Sequence, residues 1–63
     1  MSLKEWLEKE GMQTSKFAYK IGVTPSHMLM IKNGKIKPGL LLAKMIESIT
    51  NGKVTVKEMR GEN

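Results

Sequence analysis

The chain has 63 residues, a net charge of +5 and no cysteine. A single small domain of this size buries only about 60% of its unfolded surface, so stability has to come from compact helix packing or dimerisation, without disulfides or thiolate metal sites. No apolar run approaches the roughly 18 residues of a membrane span, and Met1 leads into a polar amphipathic segment with no signal-peptide pattern, so a cytoplasmic protein without a membrane partner is expected.

In chain order, Ser2-Leu3-Lys4-Glu5 fits a capping box and predicts a first helix that carries Leu3, Trp6 and Leu7 on one face and stops at Gly11. Trp6 is expected to be a core anchor and Met12 a gap-filler between the first two helices. Thr14 or Ser15 can cap a second helix with Phe17, Ala18 and Ile21 inward; Tyr19 lies off that side, as either a phosphate donor or surface cover. Gly22 supplies a left-handed turn, Val23 an apolar plug, Thr24 an N-cap, and Pro25 the first position of a third helix, where a missing N–H costs nothing. Met28 and Ile31, three apart, point its other side inward.

A fourth helix is predicted from near Pro38 to about Thr50, with Leu41, Met45, Ile46 and Ile49 buried. Leu40 and Leu42 widen its apolar surface, which implies either a central helix or contact with a second copy. Asn51-Gly52 ends it. Beyond that, Lys53 to Lys57 alternates like a strand, whereas Thr55-Val56-Lys57-Glu58 is a second capping box; the helix is favoured, because no strand precedes Asn-Gly to make a hairpin. Arg60 to Asn63 are expected to fray. The predicted fold class is therefore all-α, a single domain of four to five short helices containing a helix-turn-helix over residues 14–33.

Ala18, Gly22 and Val23, with Phe17, Ile21, Met28 and Ile31 as apolar positions, resemble the helix-turn-helix of the small phage Cro and lambdoid repressor proteins. The resemblance runs through Lys32-Asn33-Gly34 into the following helix and so covers most of the chain. The tail Thr50-Asn51-Gly52-Lys53-Val54-Thr55 is similar to the all-helical Cro-like and YdaS-like branch. It implies a repressor that lays the helix over residues 25–33 in the major groove of an operator, as a homodimer at least when bound to DNA. By position, Pro25, Ser26, Leu29 and Met30 would touch base edges, with His27 as a neighbour. The sequence departs from the family pattern here, because Leu29 and Met30 offer only apolar contact, suited to thymine methyls, where Gln, Asn, Arg or Lys is common.

The charge pattern points the same way. Between Gly11 and Ile46 there are six lysines and no acid, while the flanks together carry five basic residues and six glutamates. A one-signed field of that kind suits a polyanion. The start of the second helix, with Gln13, Thr14, Ser15 and Lys16, is a seat for a phosphate; Lys32, Asn33, Lys35 and Lys37 can reach the backbone on the other side. With no Asp, no Cys and a single His, the chain offers neither a nucleophile–base pair nor a multi-histidine metal cluster, so neither an enzyme nor a cofactor is expected. The competing reading is a protein-interaction module, antitoxin-like or anti-repressor, that docks through Leu29, Met30 and the leucines of the fourth helix.

Overall fold

The computed structural model describes residues 1–61, which form five α-helices and, among those residues, no strand. In chain order they are α1 (Leu3–Glu10), α2 (Thr14–Ile21), α3 (Pro25–Lys32), α4 (Leu40–Ile49) and α5 (Val56–Arg60).

Local chemistry accounts for most of the boundaries. At α1 the Ser2 Oγ accepts the Glu5 N–H at 3.1 Å while the Glu5 carboxylate accepts the Ser2 N–H at 3.2 Å, closing the capping box. Gly11 ends the helix at φ 65°, its N–H donating to the Glu8 carbonyl at 3.2 Å. Helix α2 differs from expectation: Gln13, not Thr14 or Ser15, is the N-cap, and it makes no side-chain capping bond. After the reversal at Gly11 the extended residue falls at Gln13 (φ −71°, ψ 144°), which leaves Thr14 already inside the helix. At the other end Gly22 adopts φ 97°, and the Gly22 and Val23 N–H groups both donate to the Ala18 carbonyl, at 2.8 and 3.0 Å. Two residues later Thr24 caps α3, its hydroxyl accepting the His27 N–H at 3.2 Å, with Pro25 in the first turn.

The core gathers Leu3, Trp6 and Leu7 from α1, Phe17 and Ala18 from α2, Met28 and Ile31 from α3, Ile46 from α4 and Val54 from the segment before α5. The Trp6 and Phe17 rings lie 5.6 Å apart at 55°, a tilted arrangement within the favourable range for aromatic pairs. Phe17, Met28 and Ile46 are fully buried, and each contributes about 1.5 to 3 kcal/mol of transfer free energy relative to exposure. Met12, Ile21 and Val23 pack against this cluster as their sequence positions predict.

Helix α4 corrects the expected phase. Its buried side carries Ala43 and Ile46, continued by Thr50, with Leu42 and Ile49 half-buried; Leu41 is 75% exposed and Met45 40%. The helix also begins at Leu40, because Gly39 is its N-cap and Pro38 is buried ahead of it. Three consecutive leucines make several faces look equally apolar, and the side that turns inward is the one carrying Ala43 and Ile46, neither of which has exposed surface.

The C-terminal fork resolves as a helix. Thr55 Oγ1 accepts the Glu58 N–H at 3.1 Å and the Glu58 carboxylate accepts the Thr55 N–H at 3.1 Å, so the second capping box starts α5. Arg60 does not fray: it closes α5, and its guanidinium donates to the Pro38 carbonyl at 3.0 Å. Residues 62 and 63, also expected to fray, lie outside the described residues.

Candidate nucleic-acid interface

The candidate reading surface is the outer side of α3. With Met28 and Ile31 buried, the helical repeat carries Ser26, Leu29, Met30 and Asn33 to the opposite side, and all four are exposed, Leu29 by 44% and Met30 by 41%. Pro25 and His27 are half-buried at its flanks. Tyr19 on α2 is 73% exposed, which leaves its hydroxyl accessible to solvent. The pairing of α2 with α3 holds this row rigidly: Ala18 has no exposed surface, and its carbonyl receives both amides of the intervening turn.

The candidate phosphate ligands fall into two groups. At the start of α2, Gln13 and Lys16 are exposed, Thr14 and Ser15 half-buried, and no side chain caps the helix, so its first-turn amides keep their donor capacity. Gln13 and Lys16 share a shallow groove with Glu10. The second group surrounds the loop after α3. Lys32 is half-buried, whereas Asn33, Lys35 and Lys37 are exposed. The Lys35 N–H donates to the Met30 carbonyl at 2.9 Å, which ties the beginning of the loop to α3.

The geometry refines the role of Lys37. Lys32 and Lys37 line one groove of about 520 Å³, whose other walls include Leu3, Glu58 and Met59. The Lys37 ammonium lies 3.6 Å from the position a Cβ on Gly61 would occupy, so it rests beside the C-terminal end of α5, where a helix favours positive charge. Lys35 is not part of that groove's lining. Glu58, the acid in that groove's lining, is engaged: its carboxylate takes a 2.8 Å ion pair from the Met1 amino group. That ammonium, and then the Thr55 amide, hold the Glu58 carboxyl below the ordinary glutamate value. Glu5 is lowered likewise, chiefly by the Ser2 backbone amide.

Sequence reasoning missed Arg60, which fixes the far end of the lysine-bearing loop through Pro38. The two residues are 22 positions apart, and no local spacing links them. Among the described residues, no group of three or more His or Glu side chains is placed to hold a metal ion, and no helix is long and apolar enough to cross a membrane.

No family model matches the chain. Over 48 residues, however, it is 35% identical to a prophage transcriptional regulatory protein of Escherichia coli strain K12, in an alignment that covers 76% of this chain and 73% of that protein.

Proposed function

The chain belongs to the family of that prophage transcriptional regulatory protein, and on this premise we propose that it is a sequence-specific reader of duplex DNA, a Cro-like repressor that occupies an operator and blocks polymerase by exclusion. The observation that carries the reading is the exposed row Ser26, Leu29, Met30 and Asn33 on α3, set in the middle of a stretch that holds six lysines and no acid. Helix α3 would enter the major groove, with Pro25 at its leading end and His27 alongside. Ser26 would bond to base edges, and Leu29 and Met30 would pack on thymine methyls.

Gln13, Thr14, Ser15 and Lys16 would hold one phosphate strand, and Lys32, Asn33, Lys35 and Lys37 the other; these contacts position the helix and carry no sequence information. One module of 63 residues has a small footprint, so two copies would bind half-sites one helical turn apart. The chain then acts by binding alone, with no cofactor.

Selection of bound duplexes from a random pool tests partner, specificity and symmetry together. The expected product is an inverted repeat with half-site centres about 10 base pairs apart. If two copies neutralise about six phosphates, log K should fall against log salt with a slope near −5, whereas a slope near zero would refute the nucleic-acid reading.

A second reading, a protein-interaction module, draws on the exposure of Leu40, Leu41 and Met45 on α4 as well as Leu29 and Met30. The double variant Lys35→Glu with Lys37→Glu separates the two. Binding to DNA should collapse under it, and an apolar docking face should be indifferent.

A further inference from the structure

The groove shared by Lys32 and Lys37 has an apolar floor for which phosphate contacts have no use. Leu3, Ile31 and Val54, at 4%, 6% and 0% exposure, belong to the core and form its base, and the half-buried Ile36 and Met59 flank them. Its volume of about 520 Å³ lies within the roughly 300 to 1,000 Å³ of small-molecule sites, which are likewise apolar with a few placed polar groups.

Charge selects the occupant. Three ionised side chains stand on the lining, Lys32, Lys37 and Glu58, and a glutamate is the ordinary partner of a neighbouring lysine. Here the carboxylate is taken up elsewhere. Glu58 accepts the Met1 ammonium at 2.8 Å and both the N–H and the hydroxyl of Thr55 at 3.1 Å, and neither lysine makes an ion pair among the described residues. The Lys37 ammonium lies beside Gly61, which also lines the groove, so its charge is held at the groove itself. A DNA phosphate would satisfy the lysines and cover none of the floor, whereas an uncharged apolar molecule would cover the floor and leave the lysines unanswered. A small organic anion does both.

We infer that this groove binds a small organic anion, a carboxylate on an apolar body, with Lys32 and Lys37 answering the charge and Ile36 and Met59 packing on the body. Both lysines are among the proposed phosphate contacts, so ligand and DNA compete for them and an occupied groove weakens the hold on the operator. The site stands on its own geometry, and only the competition rests on the DNA-binding reading.

The test uses the full chain with labelled isoleucine and methionine methyl groups, followed by NMR as naphthoate is added without DNA. The expected result is one saturable site whose shifts fall on Ile31, Ile36 and Met59, and not on Met30 or Met45, the exposed methionines of α3 and α4. Naphthamide, the same body without the charge, should bind about tenfold more weakly, and the variant Lys32→Gln with Lys37→Gln should remove that difference. Shifts centred on Met30 or Met45, equal binding of the two probes, or a titration that never saturates overturns the site. Should the double variant unfold, Met59→Glu provides the check: a carboxylate on the groove wall should exclude naphthoate, and undiminished binding overturns the site. With a duplex recovered from a random pool, naphthoate that fills the groove should weaken DNA binding about tenfold and make the slope of log K against log salt shallower by about 1 to 2 per copy. An unchanged affinity for the duplex with the groove filled overturns the competition. A chain that retains no duplex even at low salt removes the DNA reading and the competition with it, whereas the titration without DNA decides the site in either case.

Discussion

Replacing Thr50 by valine removes one oxygen from the junction between α4 and α5 and keeps the shape of the side chain. Thr50 is 1% exposed, and its hydroxyl accepts the Val54 N–H at 3.1 Å while lying 3.2 Å from the Glu47 carbonyl, to which it donates. The two losses differ in weight. The Glu47 carbonyl also accepts the Gly52 N–H at 2.8 Å, so it keeps a partner, but the Val54 amide belongs to a residue with no exposed surface and would be stranded. Leaving one buried donor unsatisfied costs about 1 to 3 kcal/mol. For a chain of this length the whole folding free energy is on the order of 3 to 9 kcal/mol, so the loss is a substantial fraction of it. At about 4 to 8 °C per kcal/mol the melting temperature should fall by roughly 5 to 20 °C. Thermal unfolding followed by circular dichroism gives the shift, and amide exchange at Val54 locates it. A melting temperature lowered by less than about 2 °C, with Val54 still protected, would refute the assignment of Thr50 as the tie between the two helices.

Gly22→Ala should destabilise by about 1 to 2 kcal/mol, a purely backbone effect, because Gly22 sits at φ 97° with no atom within 4 Å of the position its new Cβ would take; an unchanged urea midpoint would show that the turn can relax. Gly39→Ser should act in the opposite direction. Gly39 caps α4 at φ −62° in open space without a side-chain bond, so a serine oxygen there should add about 0.5 to 1 kcal/mol, read from the same denaturation curves. Glu58 predicts an acid limb. Its carboxyl is lowered in the folded state by the Met1 ammonium first and the Thr55 amide second, so its stabilisation is complete above the unfolded value of about 4.3 and is lost as pH falls through the lower folded value. Glu58→Gln should flatten the decline in urea midpoint between about pH 5 and 3, and an identical slope in the two proteins would disprove the linkage.

Features set by neighbours in sequence were the ones that could be read in advance. Both capping boxes, the stop at Gly11 and the Thr24-Pro25 start each depend on groups within about one helical turn, and each forms as its residues predict. The inward side of α3 was legible for the same reason: Met28 and Ile31, three apart, share one side of the helix and are buried, and Ser26 and Asn33 on the other side are exposed. Where competing faces were equally apolar, pattern chose the wrong phase: it turned Leu41 and Met45 inward with Ile46 and Ile49, and both Leu41 and Met45 are exposed. Leu40, Leu41 and Leu42 span more than half a turn, and the fold half-buries Leu42 against the core while it leaves Leu40 and Leu41 exposed. Thr50 and Val54 were illegible for a different reason: a hydroxyl that satisfies itself on local backbone can be buried as readily as a methyl, and hydropathy does not anticipate that. The Arg60 contact with Pro38 joins the last helix to a loop far back in the chain, which only the closed fold brings together.

That contact has a consequence for how the proposed phosphate loop meets its target. Residues 33–39 have no regular structure, yet the loop is fastened at its beginning by the Lys35 amide on Met30 and at its end by Arg60 on the Pro38 carbonyl. A free segment of that length would lose about 1 to 2 kcal/mol of backbone entropy per residue when a partner immobilised it. Here much of that ordering is already complete in the folded chain, so more of the attraction between Lys35 or Lys37 and a phosphate would survive as affinity. Cutting the Arg60 tether should therefore weaken binding by loosening backbone that carries other residues' charges, at a site where Arg60 itself need never touch DNA.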